Sequence, residues 1–556
     1  MARRHERALN EVLTRAEHRR AIGGGAASLA GIALFIGLAT AALLAFGSGG
    51  TMPSILGDPY IHRVLRFTLL QASLSTILSV ALAIPVARSL ARQRRFPGRI
   101  WIVRLMAVPM GLPVLIGALG LIGVWGRQGI LNSFLQSAGL SEPVSIYGLS
   151  GILLAHVFFN LPLASRLILA GLDRIPGEYW LMASGLGMRP LSVFRFIEWP
   201  VIRRLLPGIA GLIFMLCATS FTLVLVLGGG PAATTIEVAI YQSLRFDFDP
   251  ERAVALALLQ ITVTGLILAA MALFPAPDDH GLTSGKPIRR LDGHSPAARG
   301  ADSLVLVAAV AFVATPLLFV AVAGMKADLL KLLGEPVFHQ AALTSLVIAL
   351  SAGTLAVLMA AAIVNARMAL DASRRAGLGQ RGFMAALSGA SSLVLLVPPV
   401  VLGTGWFLLL RPVGDVTRFA PFLIIAINAL MALPFVVRVL APAMEVNRTR
   451  IGRLAASLGV TGFARLRLVD WPALRKPLQM AFSFAMALSL GDLGAMALFG
   501  SNDLMTLPWL LFSRLGSYRT SDADGLALIL GLVCLALTVA GASGHHREDG
   551  DAHERR

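Results

Sequence analysis

The sequence predicts an all-α integral membrane protein with about 12 transmembrane helices, arranged as two parallel six-helix repeats. Three observations predict it. The 556 residues are 56% hydrophobic and only 14% charged, far from the mixture of a soluble globular domain. Apolar runs recur along the whole chain at the length of about 18 residues or more that a membrane-crossing helix needs. One unusual stretch also occurs twice, 272 residues apart: LMASGLGMRPLSVFRFIEWP at 181–200 and RLAASLGVTGFARLRLVDWP at 453–472. The same offset pairs Pro162 with Pro434, Arg166 with Arg438, Arg195 with Arg467 and Arg203 with Arg475, which marks an internal duplication.

The expected spans lie near 22–46, 66–88, 100–125, 146–172, 207–229 and 252–275, then near 303–324, 342–366, 383–410, 421–442, 479–500 and 524–542. Only helices satisfy their own backbone in lipid at these lengths, so the class is all-α. The chain therefore divides into a basic N-terminal tail (1–21), a first repeat (22–275), a linker rich in Gly, Pro and charge (276–302), a second repeat (303–542) and a charged tail (543–556). No small-residue cleavage site follows the first tail, so the first span is expected to be uncleaved.

The formal charge of +18 does not indicate nucleic acid, because the arginines cluster between apolar runs. With the N-terminus inside, inner segments carry 33 Lys and Arg and outer loops carry 9, the same bias in both halves. Both termini and both repeated loops are thus expected in the cytoplasm. An even number of spans per half makes the repeats parallel. Cys217 and Cys534 lie inside apolar runs and read as small core residues.

Each repeated loop reads as a short surface helix stopped by a glycine, Gly187 or Gly459. Trp199-Pro200 and Trp471-Pro472 then start the next span, where proline's missing donor is not needed. A basic helix of this kind either lies on anionic headgroups or docks a cytoplasmic partner; the fixed, duplicated Gly-to-Pro frame favours docking, twice and in quasi-symmetry.

The frame resembles the EAA loop of type I ABC importer permeases: Glu-Ala-Ala, three residues, Gly, nine residues, Ile-x-Leu-Pro. Ala183, Gly187, Ile197 and Pro200 match it in the first half; Ala455, Gly459 and Pro472 match in the second, with Val469 at the isoleucine position. Leu181 and Arg453 stand in place of the glutamate, Met182 and Leu454 in place of the first alanine, and Trp in place of Leu before each Pro. The resemblance covers nearly the whole chain, with permease cores at about 62–272 and 340–541, and is to the fused double permeases for ferric iron and thiamine. The stretches 221–248 and 489–519 look more like the thiamine and thiamine pyrophosphate permeases. The resemblance implies a bacterial inner-membrane permease with two cytoplasmic ATPase subunits and a periplasmic substrate-binding protein. ATP would be used by the partner, and no cofactor would be bound by this chain.

No Gly-x4-Gly-Lys-Ser/Thr phosphate loop occurs, so a pump of this shape must borrow its ATPase. Asp492 is an acid within the apolar part of a late helix and should face a polar cavity or a partner. It either lies beside a passing thiazolium cation or makes a structural contact, to Ser489 or to an arginine of a neighbouring helix. His156, Asn160 and Asn428, the last 272 residues after His156, suit either a substrate path or interhelical hydrogen bonds. Arg166 and Arg438 are expected to snorkel to the inner headgroups. His545, His546 and His553 sit in a charged tail and read as solvated, not as metal ligands, and the acids Asp247, Asp249 and Glu251 read as solvated loop residues or part of a docking surface, not as catalysts. No Ser-His-Asp set or clustered metal ligands appear, which disfavours a membrane enzyme. A secondary transporter driven by an ion gradient also has parallel repeats, but it calls for more buried ionisable residues and gives no reason for two matched docking loops.

Overall fold

The computed structural model describes residues 14–47, 57–94, 96–139, 142–273, 290, 292, 295–371, 377–501 and 504–542. The C-terminal tail with its three histidines, and most of the expected N-terminal tail and linker, lie outside them. Among the described residues every regular element is helical.

In the first half the principal helices are α1 (Arg15–Gly47), α2 (Pro59–Arg92), α3 (Arg99–Leu105), α4 (Val114–Trp125), α5 (Leu149–Asp173), α6 (Gly177–Gly185), α7 (Trp199–Ala218), α8 (Thr222–Leu227), α9 (Ile236–Arg245) and α10 (Pro250–Ala272). The second half holds α11 (Pro296–Lys326), α12 (Pro336–Asp371), α13 (Leu378–Leu396), α14 (Pro399–Leu410), α15 (Ala420–Val446), α16 (Arg453–Ser457), α17 (Trp471–Leu490), α18 (Gly494–Phe499), α19 (Leu507–Gly516) and α20 (Thr520–Ala542). Among the described residues ten helices are long and apolar enough to cross a membrane. The apolar α14 and α17, whose first turns carry Arg475 and Lys476, bring the segments to the expected number of about twelve.

The third and fifth segments of each half are broken rather than continuous. Leu112 precedes Pro113 and Val397 precedes Pro398; the proline ring pushes each preceding residue out of the helical region, to ψ of 140° and 102°. The fifth segments break at 219–221, between α7 and α8, and at 491–493, between α17 and α18. The breaks from the two halves converge. A Cβ added to Gly491 would come within 3.1 Å of Pro113, and one on Gly494 within 3.7 Å of Pro399 and 3.9 Å of Phe221.

The two halves are not separate bundles. α1 packs on α12 and α14 of the second half, while α11 packs on α2 and α4 of the first as well as on α20. Lipid gives helices no hydrophobic reason to associate, so close backbone approach has to supply the attraction. Gly405 of α14 lies against the backbone of Ala39 in α1. Beside it, Trp406 stacks on Phe35 at 4.8 Å between centroids and donates its Nε1–H to the Phe35 carbonyl at 3.2 Å. The quasi-symmetry extends to single hydrogen bonds: the first amide of α9, Ile236, donates to Thr68 Oγ1 (3.1 Å), and the first amide of α19, Leu507, to Ser345 Oγ (2.8 Å).

Candidate functional site

Both repeated loops are built the same way. α6 ends with Leu186 N–H donating to the Met182 carbonyl (3.0 Å) and Met188 N–H reaching back to Ala183 (2.9 Å) across Gly187 at φ +61°. α16 ends with Leu458 N–H on Leu454 (3.1 Å) and Val460 N–H on Ala455 (2.9 Å) across Gly459 at φ +70°. This is the left-handed helix stop that glycine serves without a Cβ penalty. Ala183 and Ala455 are buried beneath it. One helical turn follows (Pro190–Val193, Gly462–Arg465), then one π turn (Phe194–Glu198, Leu466–Asp470), and the spans begin at Trp199-Pro200 and Trp471-Pro472. Ile197 and Val469, at the same point of each π turn, are both half-buried.

Outward, each loop presents three large apolar side chains at matched positions. Met182, Leu186 and Leu191 correspond to Leu454, Leu458 and Phe463, all 60–75% exposed. Each loop thus carries an exposed apolar patch just beyond its glycine stop or beside it.

Beneath the first loop lies a charge cluster that sequence reasoning missed. Glu198 is fully buried and accepts from Arg88 Nε (2.6 Å) and Arg290 Nη2 (2.5 Å). Arg88 also donates to the Pro190 carbonyl (2.9 Å) and lies over the Phe194 ring. Arg290 stacks on Trp180 of α6 at 3.9 Å and pairs with Asp292 (2.8 Å). Burial would raise the Asp292 carboxyl, but the hydrogen bond and charge of Arg290 outweigh it and hold Asp292 below the usual carboxylate range. The equivalent acid of the second loop, Asp470, is held from within its own half, by Asn447 Nδ2 (2.9 Å) and Arg465 (3.4 Å). A signal was present: an acid directly precedes Trp-Pro in both copies.

At the centre, Asp492 stands at the break before α18, half-buried, and accepts from the Gly494 and Ala495 amides at 3.2 Å each. Its own amide donates to the Ser489 carbonyl (3.3 Å), and Ser489 Oγ accepts from Asn428 Nδ2 (2.9 Å). These three candidates therefore form one cluster. His156 and Asn160 occupy the corresponding place in the other half: His156 Nδ1 shares a hydrogen bond with Ser75 Oγ (2.9 Å), and Asn160 Nδ2 donates to Cys217 Sγ (3.3 Å). Cys217 and Ser489 are themselves 272 residues apart. Both cysteines are buried and unpaired. Arg166 and Arg438 are exposed. Of the loop acids, Asp249 caps α10 by accepting from Arg252 N–H (3.0 Å), while Asp247 and Glu251 are exposed.

A second membrane-proximal acid had not been singled out. Glu237, on α9 between the fifth and sixth spans, is fully buried with both oxygens unpartnered, and burial pushes its carboxyl up to about 8. Burial thus favours its neutral form. Among the described residues no group of three His, Cys, Asp or Glu is placed to hold a metal ion.

A duplicated helical bundle with broken helices meeting at its centre defines a multi-pass membrane permease. No protein-family model matches the chain. It is 50% identical over 517 residues, 93% of this chain and 94% of the other, to the thiamine transport system permease protein ThiP of Brucella abortus (strain 2308). It is 46% identical over 484 residues, 86% and 88% of the two chains, to that of Escherichia coli (strain K12). The molybdenum transport system permease protein ModB of Mycobacterium bovis is 31% identical over 223 residues, 39% of this chain and 80% of that one. The chain belongs to the thiamine transport system permease family.

The left-handed stops give a direct test. Nothing lies within 4 Å of a Cβ added at Gly187, so a substitution there costs only conformation, about 1–2 kcal/mol for an L-residue. Hydrogen exchange at the Leu186 and Met188 amides should accelerate about tenfold in Gly187→Val and less in Gly187→Asn, because Asn tolerates this region. Equal exchange in the two variants would remove the left-handed requirement.

Proposed function

We propose that this chain is the membrane-spanning permease subunit of an ATP-driven importer, carrying thiamine, its phosphates or both across the bacterial inner membrane by alternating access. The observation that carries the ATP-driven reading is the pair of rigid loops with matched, exposed apolar triplets. Each docks one cytoplasmic ATPase subunit, and the helix stop at Gly187 or Gly459 sets the angle at which the docked helix is held. ATP is bound and hydrolysed in those partners; this chain carries no phosphate loop and binds no cofactor of its own. The basic face is cytoplasmic, with both termini, as the 33-to-9 distribution of Lys and Arg supports. The opposite face receives cargo from a periplasmic substrate-binding protein.

The substrate reading rests on the relatives named for thiamine transport. A thiazolium cation needs a passage that lowers the cost of a charge in a low dielectric. Asp492, half-buried where the breaks meet, is placed to do so. At an effective dielectric of about 20, an opposite charge about 4 Å away is worth roughly 4 kcal/mol before desolvation is subtracted.

Proteoliposomes containing the permease, its ATPase and its binding protein should accumulate thiamine only with ATP. Leu186→Glu combined with Leu458→Glu should abolish co-purification of the ATPase while the permease still inserts. Accumulation of ferric iron and not thiamine would overturn the substrate; unchanged ATPase recovery would overturn the docking role.

Asp492→Asn removes the charge and keeps one of the two cap bonds, because the Gly494 and Ala495 amides go to different carboxylate oxygens and an asparagine side chain has a single acceptor oxygen. Thiamine uptake should fall about tenfold, a barrier change of ~1.4 kcal/mol. Uptake at the normal rate would leave Asp492 as a helix cap alone.

Orientation is read by labelling. Cys217 and Cys534 are buried and will not react, so single cysteines can be added to the natural chain. Cysteines replacing Gln136, Leu333 and Asp415 should be labelled by an impermeant maleimide from outside, and those replacing Arg189 and Phe463 should not. An inverted half would overturn the parallel arrangement.

A further inference from the structure

We propose that Arg290, in the segment joining the two halves, is a positioning residue for the first repeated loop, clasping it to the first helix of the second half. The proposal rests on the docking role given above to that loop.

One guanidinium touches both arms of the loop. Its face covers Trp180 in α6, before the Gly187 stop, and its Nη2 holds Glu198 in the π turn after it. The two arms are therefore fixed to one another by a side chain that belongs to neither. From Arg290 the contacts run on through Asp292 (2.8 Å) to Arg92 (3.7 Å), and from Arg92 to Asp302 (3.5 Å). Asp302 lies near the start of α11 and also accepts from Ser89 (3.1 Å) and Gln93 (2.9 Å) of the first half. Loop, linker and α11 are thus joined by an unbroken series of charged groups. The Arg290 side chain is fully buried, as is that of Glu198. Buried ion pairs add little stability over an apolar replacement of equal size, but they demand one geometry. What this cluster fixes is the placing of the loop.

The second loop is different. At the 272-residue offset Trp180 becomes Gly452, and in the helices where Thr68 answers to Ser345 Arg88 becomes Asn365, so the aromatic platform and one of the two arginines are missing. Asp470, in the place of Glu198, is held by Asn447 and Arg465 of its own half. The two loops share a backbone frame, yet among the described residues the first is tied through the linker, whereas the second is met by Glu17 of α1, which accepts from the Gly462 amide (2.8 Å). Movement of an ATPase docked on the first loop is passed through Arg290 to α11.

The test is the number of ATP molecules hydrolysed per thiamine taken up by the full reconstituted complex. Arg290→Gln should raise it several-fold, because the variant loses both the charge on Glu198 and the cation–aromatic contact with Trp180. Arg290→Lys should fall between, since it keeps the charge beside Glu198 but not the planar stack on Trp180. A merely structural role predicts fewer complexes with an unchanged ratio, and an unchanged ratio in Arg290→Gln overturns the proposal. If Arg290→Gln does not assemble, the ratio in Arg290→Lys decides. Failure of both to assemble would make Arg290 a folding residue and overturn it too. A wild-type complex without ATP-dependent uptake would instead remove the docking role on which the proposal stands.

Discussion

In hydrocarbon every peptide group must find its hydrogen bond within protein, and the architecture follows from that requirement. It accounts for long continuous helices at the lipid-facing positions, and it confines irregular backbone to places that other segments cover. The breaks in the third and fifth segments obey it. Pro113 meets Gly491, Phe221 closes on Gly494, and Thr264 of α10 donates to the Leu396 carbonyl (2.7 Å), so each half shields the other's interruption. Where α18 begins, the Asp492 carboxylate takes up two of the amides that have no helical partner. A polar centre is therefore possible only because the halves are pressed together there.

The spans, the duplication and the glycine stops were legible because each leaves a local mark: length of apolar run, a constant offset, or a residue type suited to one backbone angle. The breaks were not. Proline alone does not decide them, since Pro85, Pro162, Pro207, Pro434 and Pro477 all lie inside continuous helices. Pro113 and Pro398 interrupt theirs where the opposite half fills the gap, a tertiary circumstance with no sequence period. The same limit applied to the site. Asn428, Ser489 and Asp492 could be placed on helices, but that they form one hydrogen-bonded cluster depended on how α15 meets α17. The acid before each Trp-Pro was visible; its partner Arg290, 92 residues from Glu198, was not.

Fusing two copies into one chain frees them to differ. The backbone frame of the repeated loops persists because a single glycine angle sets it. The groups beneath have diverged, with an arginine stacked on Trp180 in one half and a contact internal to the loop in the other. Quasi-symmetry is thus retained where one residue suffices and lost where several must change together.

The exchange of first helices between halves has a consequence in time. α1 leaves the ribosome early, but the two helices it packs on most extensively, α12 and α14, begin only at Pro336 and Pro399. At about 5–20 residues per second, the nearer of these follows the end of α1 by roughly 15–60 s. For that interval the face bearing Ile32 and Ala39, buried in the finished protein, has lipid or an insertion factor for a neighbour. Its apolar character, with Gly25, Ile32, Ala39 and Leu43, lets the helix wait in the bilayer with that face unfilled, and it makes the nascent first half an open form of the molecule that the second half closes.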